Sequence, residues 1–543
     1  MVRQIVLEDQ LEVLVLQVME KARDQHVQLN LDRVIILLLK TLLHHHILHL
    51  LQVVAMEVEV EVAVVAVAVA EVAQLEVVVE DNPFIISKDI FMKKHILVLA
   101  VAILGAAGSS YAQVILPTYA GDALRYSQTN YGSSSRFKAM GNAQIGAGGD
   151  ISSLGGNPAG LGLFTKSEFT LTPEFNRTGI DATYLNNKAN TSKSQINLNQ
   201  MGAVFYMPTY KSKGQDVTKG LISAVIGIGY NRNNDYGLES NFSGKNTQSS
   251  VYNMFDGDDA FTLGNTQSGN VIRSGSVSEF NVAGALNISN QLYIGASLGL
   301  VDLRLMNDIS LYETGITENY KVGYFQNQEA KGSGINGRLG VIFRPVPALR
   351  LGANLQTPTW FNIDDSYSVR TDNNAINSET YDFNYELRTP LKGSLGASYV
   401  FGTRGILSAD IDFVDYSSIR FSSSNGGDLD VISENNNEVA MNYNSAINYR
   451  VGGELKLTEL MSLRAGYGIN GSAFKDDSNG AFDTKFYSGG IGYRTRSYYI
   501  DLAYQRVETS STFSPYLLDD YNEPVVSAKN NKNNVFLTVG LRF

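Results

Sequence analysis

No cysteine occurs among the 543 residues, which removes disulfides, thiolate metal sites and cysteine nucleophiles from consideration. Histidine is confined to the first part of the chain, at His26, His44, His45, His46, His49 and His95. Everything after that point lacks the near-neutral base that Ser–His and related hydrolytic sites use. Charge is sparse too, at 18% of residues, and the net charge of -11 lacks the concentrated basic patch that marks nucleic-acid binders. Beyond residue 112 no apolar run reaches the roughly 18 residues of a membrane-spanning helix. A further gap is local: the first 91 residues hold no Gly, Tyr or Trp, although the whole chain has 50 Gly and 29 Tyr.

That compositional break marks a boundary. Residues 1–91 are Val-, Leu- and Glu-rich low complexity without turn chemistry between the apolar runs, and read as an upstream extension that is not part of the mature protein. The triplet His44–His46 has metal-ligand chemistry but falls inside this extension. From Met92 the order is that of a secretory signal: Lys93 and Lys94, an apolar core from Ile96 to Ala107, then small residues ending at Ala112. Residues 92–112 are therefore expected to be cleaved, and the mature chain to begin at Gln113.

What remains is rich in Gly, Tyr and Phe, and its apolar residues alternate. The last segment reads Val535, Phe536, Leu537, Thr538, Val539, Gly540, Leu541, Arg542, Phe543. Successive side chains of a strand point to opposite faces, so the odd positions suit lipid while Thr538, Gly540 and Arg542 suit a lumen. Fourteen comparable segments precede it, from Phe169–Phe175 to Tyr498–Val507, and among them are Tyr381–Leu387 and Gly393–Phe401. Fifteen segments point to an all-β transmembrane antiparallel barrel of about 14 strands, because bacterial barrels have even strand numbers. Polar stretches such as 231–270, 364–379, 422–444 and 508–534 read as extracellular loops. The paired acids Asp364–Asp365, Asp476–Asp477 and Asp519–Asp520 read as solvated loop charges.

Between Gln113 and the first strand the chain is Gly- and Ala-rich and irregular. It runs through Asp122-Ala123-Leu124-Arg125-Tyr126, then Ala139-Met140-Gly141-Asn142, then Asn157-Pro158-Ala159-Gly160. This ordered set, between a signal and a barrel, resembles the N-terminal hatch of the FadL type, outer-membrane transporters of long-chain fatty acids and aromatic hydrocarbons. The resemblance implies a hatch over residues 113–165 plugging a 14-stranded barrel over residues 166–543, with Asn157, Pro158 and Ala159 as the hatch motif. It also implies passive uptake of a hydrophobic small molecule, through an apolar pocket and a lateral opening into the bilayer. The terminal Phe543 resembles the signal read by the barrel assembly machinery during export through the periplasm.

Gly227 and Gly229, in the segment Leu221–Tyr230, are the candidate weak point for that opening, since glycine weakens strand pairing; plain bulges use it as well. Trp360 ends a segment and suits an interfacial aromatic belt. Nothing calls for catalysis, a cofactor or a metal, and the expected partners are a hydrophobic ligand and outer-membrane lipid. The alternative from another class is a structural or adhesive barrel that binds partners through its long outer loops.

Overall fold

The computed structural model describes residues 118–543 except 129, 213–215, 217, 248, 252–263, 316–320, 373–378, 425, 517 and 519–522. The extension and the signal expected over residues 1–112, and the pair Asp519–Asp520, lie outside the described residues.

One antiparallel sheet forms the wall. Its segments are β1 (Glu168–Tyr184), β2 (Asn187–Pro208), β3 (Leu221–Asp235), β4 (Leu238–Asn246), β5 (Asn265–Ile288), β6 (Leu292–Thr314) and β7 (Lys321–Val346). They continue with β8 (Leu349–Gln356), β9 (Trp360–Thr371), β10 (Glu379–Arg388), β11 (Lys392–Val400), β12 (Gly405–Asp415) and β13 (Arg420–Ser422). The last are β14 (Ser445–Lys456), β15 (Met461–Asn470), β16 (Thr484–Arg494), β17 (Tyr498–Phe513) and β18 (Val526–Arg542). β18 pairs with β1 from Glu168↔Arg542 to Thr183↔Ser527, so the sheet closes on itself. Closure satisfies the edge N–H and C=O groups that hydrocarbon cannot solvate.

Four staves are interrupted once, so the eighteen segments make fourteen staves. β3 and β4 both lie along β5, and β8 and β9 both lie along β7. β10 and β11 continue one another along β9 and β8, as β12 and β13 do along β11 and β10. The extra sequence segment is thereby explained. Tyr381–Leu387 and Gly393–Phe401 are two halves of one stave, divided where Pro390 cannot donate to the ladder.

Several stretches expected to be loops are strands. Residues 231–235, 238–246, 364–371, 508–513 and 526–534 extend the staves. Most of their side chains are polar at and beyond the edge of the bilayer, with only scattered inward apolar residues such as Phe242 and Val526, so the alternation of hydrophobicity that would announce them is weak. Within 422–444 a helix forms instead, Leu429–Asn442. Asp365 is likewise not a solvated loop charge: it is buried on β9 and accepts from Gln328 at 3.0 Å.

The apolar belt is confined to one end. Outward side chains such as Phe175, Phe205, Leu298, Leu339, Leu395 and Leu502 are exposed. Farther along, the outward positions of β6 and β7 carry Asp302, Arg304, Glu329 and Lys331. The belt end has short connections, among them the tight turn with Ser289 and Asn290 at φ 55 and 53. Apart from the β1–β2 turn, the connections at the other end are mostly longer, which fits short periplasmic turns and long extracellular loops. Trp360 stands outward, half exposed, near the upper edge of the belt. In β18 the expected faces are observed: Val535, Val539, Leu541 and Phe543 are exposed, and Thr538 and Gly540 are buried.

Inside, several charges are paired. Arg338 donates two bonds to Glu279, at 2.7 and 2.8 Å, with both side chains almost wholly buried. Arg450 meets Asp412 at 2.6 Å and Arg464 meets Asp501 at 2.7 Å. Such pairing, bidentate at Arg338–Glu279, offsets desolvation that an unpaired buried charge would suffer in full.

Candidate functional site: hatch, cavity and wall openings

Residues 118–167 fill the lumen. Helix α1 (Tyr119–Ser127) is capped by Thr118, whose hydroxyl accepts from the Gly121 N–H at 3.1 Å. Its buried face, Ala120, Ala123, Leu124 and Tyr126, joins Phe361, Phe383, Tyr385 and Leu387 of the wall in the largest apolar cluster. Helix α2 (Ser135–Ala139) follows, and the segment ends in two 3-10 helices, Ile151–Leu154 and Pro158–Leu163. Wall groups hold this chain directly. Asp410 accepts from the backbone N–H groups of Gln144 and Ile145, at 2.5 and 2.8 Å, and Glu454 pairs with Arg136 at 2.9 Å.

Asn157 caps the second 3-10 helix, accepting from the Ala159 N–H at 3.1 Å. Its amide donates to the Ile145 carbonyl at 2.8 Å and to the Val341 carbonyl of β7 at 3.2 Å. One side chain thus ties two turns of the hatch to the wall. Pro158, at the first helical position, needs no partner for a missing N–H. The motif fits because the wall is glycine where it lies: a Cβ at Gly340 would strike the Asn157 side chain, and one at Gly295 would strike the backbone of Pro158 and Ala159. Asn157, Pro158 and Ala159 are all buried.

Gly227 and Gly229 do not interrupt the wall. β2 pairs with β3 continuously from Gln200↔Asn231 to Pro208↔Ser223, and Gly227↔Ala283 and Gly229↔Asn281 hold on the other side. Both glycines face inward, where added Cβ atoms would meet Leu154 of the hatch at 2.8 and 2.7 Å. They make room for the plug, and their φ/ψ freedom is not used. The same stave does open farther up. Its ladder to β2 ends at Asn231, its register to β5 shifts between Arg232 and Asn234, and β4 pairs with β5 alone.

Behind that opening lies a cavity of 320 Å³. Residues 232–238 of the third stave line it, with Leu124 of α1 and Val507, Phe474, Phe482 and Phe536. Five cations reach it, Arg125, Lys138, Arg232, Arg273 and Lys532, against two carboxylates, Glu174 and Asp235. Asp235 engages both Arg232 and Lys532. Arg273 has only Asn307 as a partner, donating through Nε at 3.1 Å, and no ion pair among the described residues. Lys138 donates to the Asn130 carbonyl at 3.1 Å and sits 5.1 Å from the centre of the Phe536 ring. Burial lowers the Lys138 ammonium to about 8, with the nearby Glu174 acting in the opposite direction.

These cations were missed in the sequence because nothing distant in the chain marks them as neighbours. The available signal was Arg125 and Lys138, two of the charges inside a Gly/Ala-rich plug. Phe543 stands exposed at the belt end, its N–H donating to the Ser167 carbonyl at 3.0 Å. Among the described residues no cluster of acidic or His side chains is built to hold a metal ion.

Two solved structures are similar to this chain. The structure of the toluene transporter TodX from P. putida shares 14% identity and covers 76% of this chain and 99% of its own, with a TM-score of 0.51. A Pseudomonas aeruginosa FadL homologue shares 13% identity over 77% of this chain and 99% of its own, with a TM-score of 0.49. At such identities the likeness speaks for the fold alone. No curated protein matches the sequence significantly. The family described as outer membrane protein transport protein (OMPP1/FadL/TodX) matches residues 124–536, which takes in most of the hatch and the wall as far as the middle of β18. The chain belongs to that family, and is an outer-membrane transporter of hydrophobic compounds and not an enzyme.

Proposed function

We propose that the ligand is an amphipathic acid of the long-chain fatty acid type, taken up passively past the hatch and released sideways into the bilayer. The observation that carries this is the excess of cations in the cavity, above all Arg273, a cation that makes no ion pair among the described residues and stands beside apolar side chains. An aliphatic hydrocarbon gives such a cation nothing and an aromatic one only a cation–π contact, whereas a carboxylate gains a charge-assisted hydrogen bond while its tail lies along Leu124, Val507 and Phe536. The gap above Asn231 in the third stave begins at the outer edge of the apolar belt, just past the exposed Ile226 and Ile228, and offers the tail a way out that breaks no ladder bond. Hatch contacts from Asn157 to the β7 backbone supply the movable element.

The test is binding of oleate and of methyl oleate to purified protein and to Arg273→Gln. A hydrogen bond to a charged group contributes about 1.5–3 kcal/mol, so oleate should weaken roughly 10- to 100-fold. Methyl oleate should change less than about threefold, since it carries no charge for Arg273 to meet. Equal loss for both ligands would mean that Arg273 shapes the pocket without reading a carboxylate. Tight toluene binding with no oleate binding would place the ligand among aromatic hydrocarbons.

A further inference from the structure

Three neighbouring staves break at the same height. The seventh is interrupted at residues 357–359, the eighth at 389–391 and the ninth at 416–419. Pro358 and Pro390 withhold N–H groups at the first two breaks. Between the sixth, seventh and eighth staves, threonines replace the ladder. Gly337 N–H donates to the Thr357 hydroxyl at 2.9 Å, Thr359 N–H donates to the Thr389 hydroxyl at 2.8 Å, and Thr389 N–H donates to the Thr359 carbonyl at 3.0 Å. Between the eighth and ninth staves nothing replaces it. The ladder stops at Lys392↔Val414 and resumes at Arg388↔Arg420, with no hydrogen bond joining residues 389–391 to residues 415–419.

On the lumen side of this seam lies a small cavity of 30 Å³, lined by Pro390 and Lys392 with Tyr126, Phe361, Val414 and Tyr416. On the membrane side, just toward the short-turn end, the wall carries a depression of 580 Å³. Its floor is the cross-strand pair Ala397↔Ala409, flanked in register by Leu351 and Val451. Leu395, Ile411 and Tyr449 rise beside it. Two small side chains among large ones leave a trough within the apolar belt, where only hydrocarbon is available to fill it.

We propose that the seam between the eighth and ninth staves, with the apolar trough beneath it, is a second lateral port, in which the hydrocarbon tail of the transported ligand passes between lumen and bilayer. The port rests on the lateral-release reading above and is distinct from the gap in the third stave. Opening it breaks no backbone hydrogen bond, because the break is already in the fold. The trough receives a tail emerging at Leu391, and its flanking side chains keep that tail against the wall.

Because the chain has no native cysteine, a single engineered pair reports cleanly. Leu391→Cys with Asp415→Cys continues the register one step beyond Lys392↔Val414 and locks the seam when oxidised. Gln195→Cys with Gly237→Cys spans the third-stave gap, where a Cβ on Gly237 would touch the Gln195 side chain. Labelled oleate is the probe, in cells lacking other importers, with surface level and heat-modifiable mobility measured in parallel. The oxidised seam lock should lower uptake at least fivefold and reductant should restore it. Ala409→Trp, which fills the trough from the bilayer side, should lower uptake without any oxidant. Unchanged uptake in both seam variants, with uptake stopped by the third-stave lock, overturns the port. Unchanged uptake in Ala409→Trp together with loss of co-purified phospholipid makes the trough a lipid seat and overturns it as well. If wild type imports no oleate, the carboxylate reading falls and the port falls with it.

Discussion

Replacing Asn157 by Ala removes three hydrogen bonds from a fully buried position: the cap on Ala159 and the two amide bonds to Ile145 and Val341. Each is worth about 1 kcal/mol net, and buried groups left unpaired add to the loss. The Val341 carbonyl belongs to a wall strand and keeps its ladder, so most of the cost falls on the hatch. A total of about 3 kcal/mol displaces the hatch from its docked arrangement by roughly a hundredfold, since 1.4 kcal/mol is a factor of ten. The wall does not share this cost. Its ladders, such as the closure of β1 on β18, contain no bond from Asn157, and opening them in lipid costs several kcal/mol per exposed group. The variant should therefore reach the surface at wild-type level, keep its heat-modifiable mobility and take up labelled oleate at least fivefold more slowly. Asn157→Asp, which keeps the cap acceptor but loses both donors, should fall at least as far, because it also buries a charge. Wild-type uptake by Asn157→Ala at equal surface level would refute the role given to the docked hatch.

N-terminal sequencing of protein isolated from outer membranes should begin at or near Gln113; recovery of any of residues 1–91 on the mature chain contradicts the processing expected from the signal at Met92. Deleting Phe543 should reduce assembled barrel, read as heat-modifiable mobility, more than Arg542→Ala does. Arg542→Ala loses the ion pair to Glu168 at 2.9 Å, but Glu168 keeps its bond from Tyr499 and the chain keeps its terminal aromatic. Equal assembly in the two variants would show that Phe543 carries no assembly signal.

The buried pair Arg338–Glu279 shows where reading by sequence stops. Nothing near either residue signals the other, 59 positions away; they meet because the fourth and sixth staves flank the fifth in the closed wall. The cationic cavity has the same origin: Lys138 comes from the hatch, Arg273 from β5 and Lys532 from β18. Closure alone brings them to one lumen.

The sequence by itself determined the class of fold and the membrane face of the last stave, and it pointed to a plug before the wall. Alternation with period two is a local property, and lipid rewards it residue by residue. The motif Asn157-Pro158-Ala159 was legible for a similar reason, since capping and the proline constraint act within three residues. Tertiary structure decided the rest. Polar stave ends that leave the bilayer carry only a weak periodic signal, so pairing with neighbours makes them strands. The role of Gly227 and Gly229 turned on Leu154, a residue over 70 positions earlier, whose side chain occupies the space a Cβ would need. The seam required the prolines at 358 and 390 to fall at one height in adjacent staves, which register fixes and sequence spacing does not. Where pairing stops across three staves is a property of the closed sheet, and so is the route it offers through the wall.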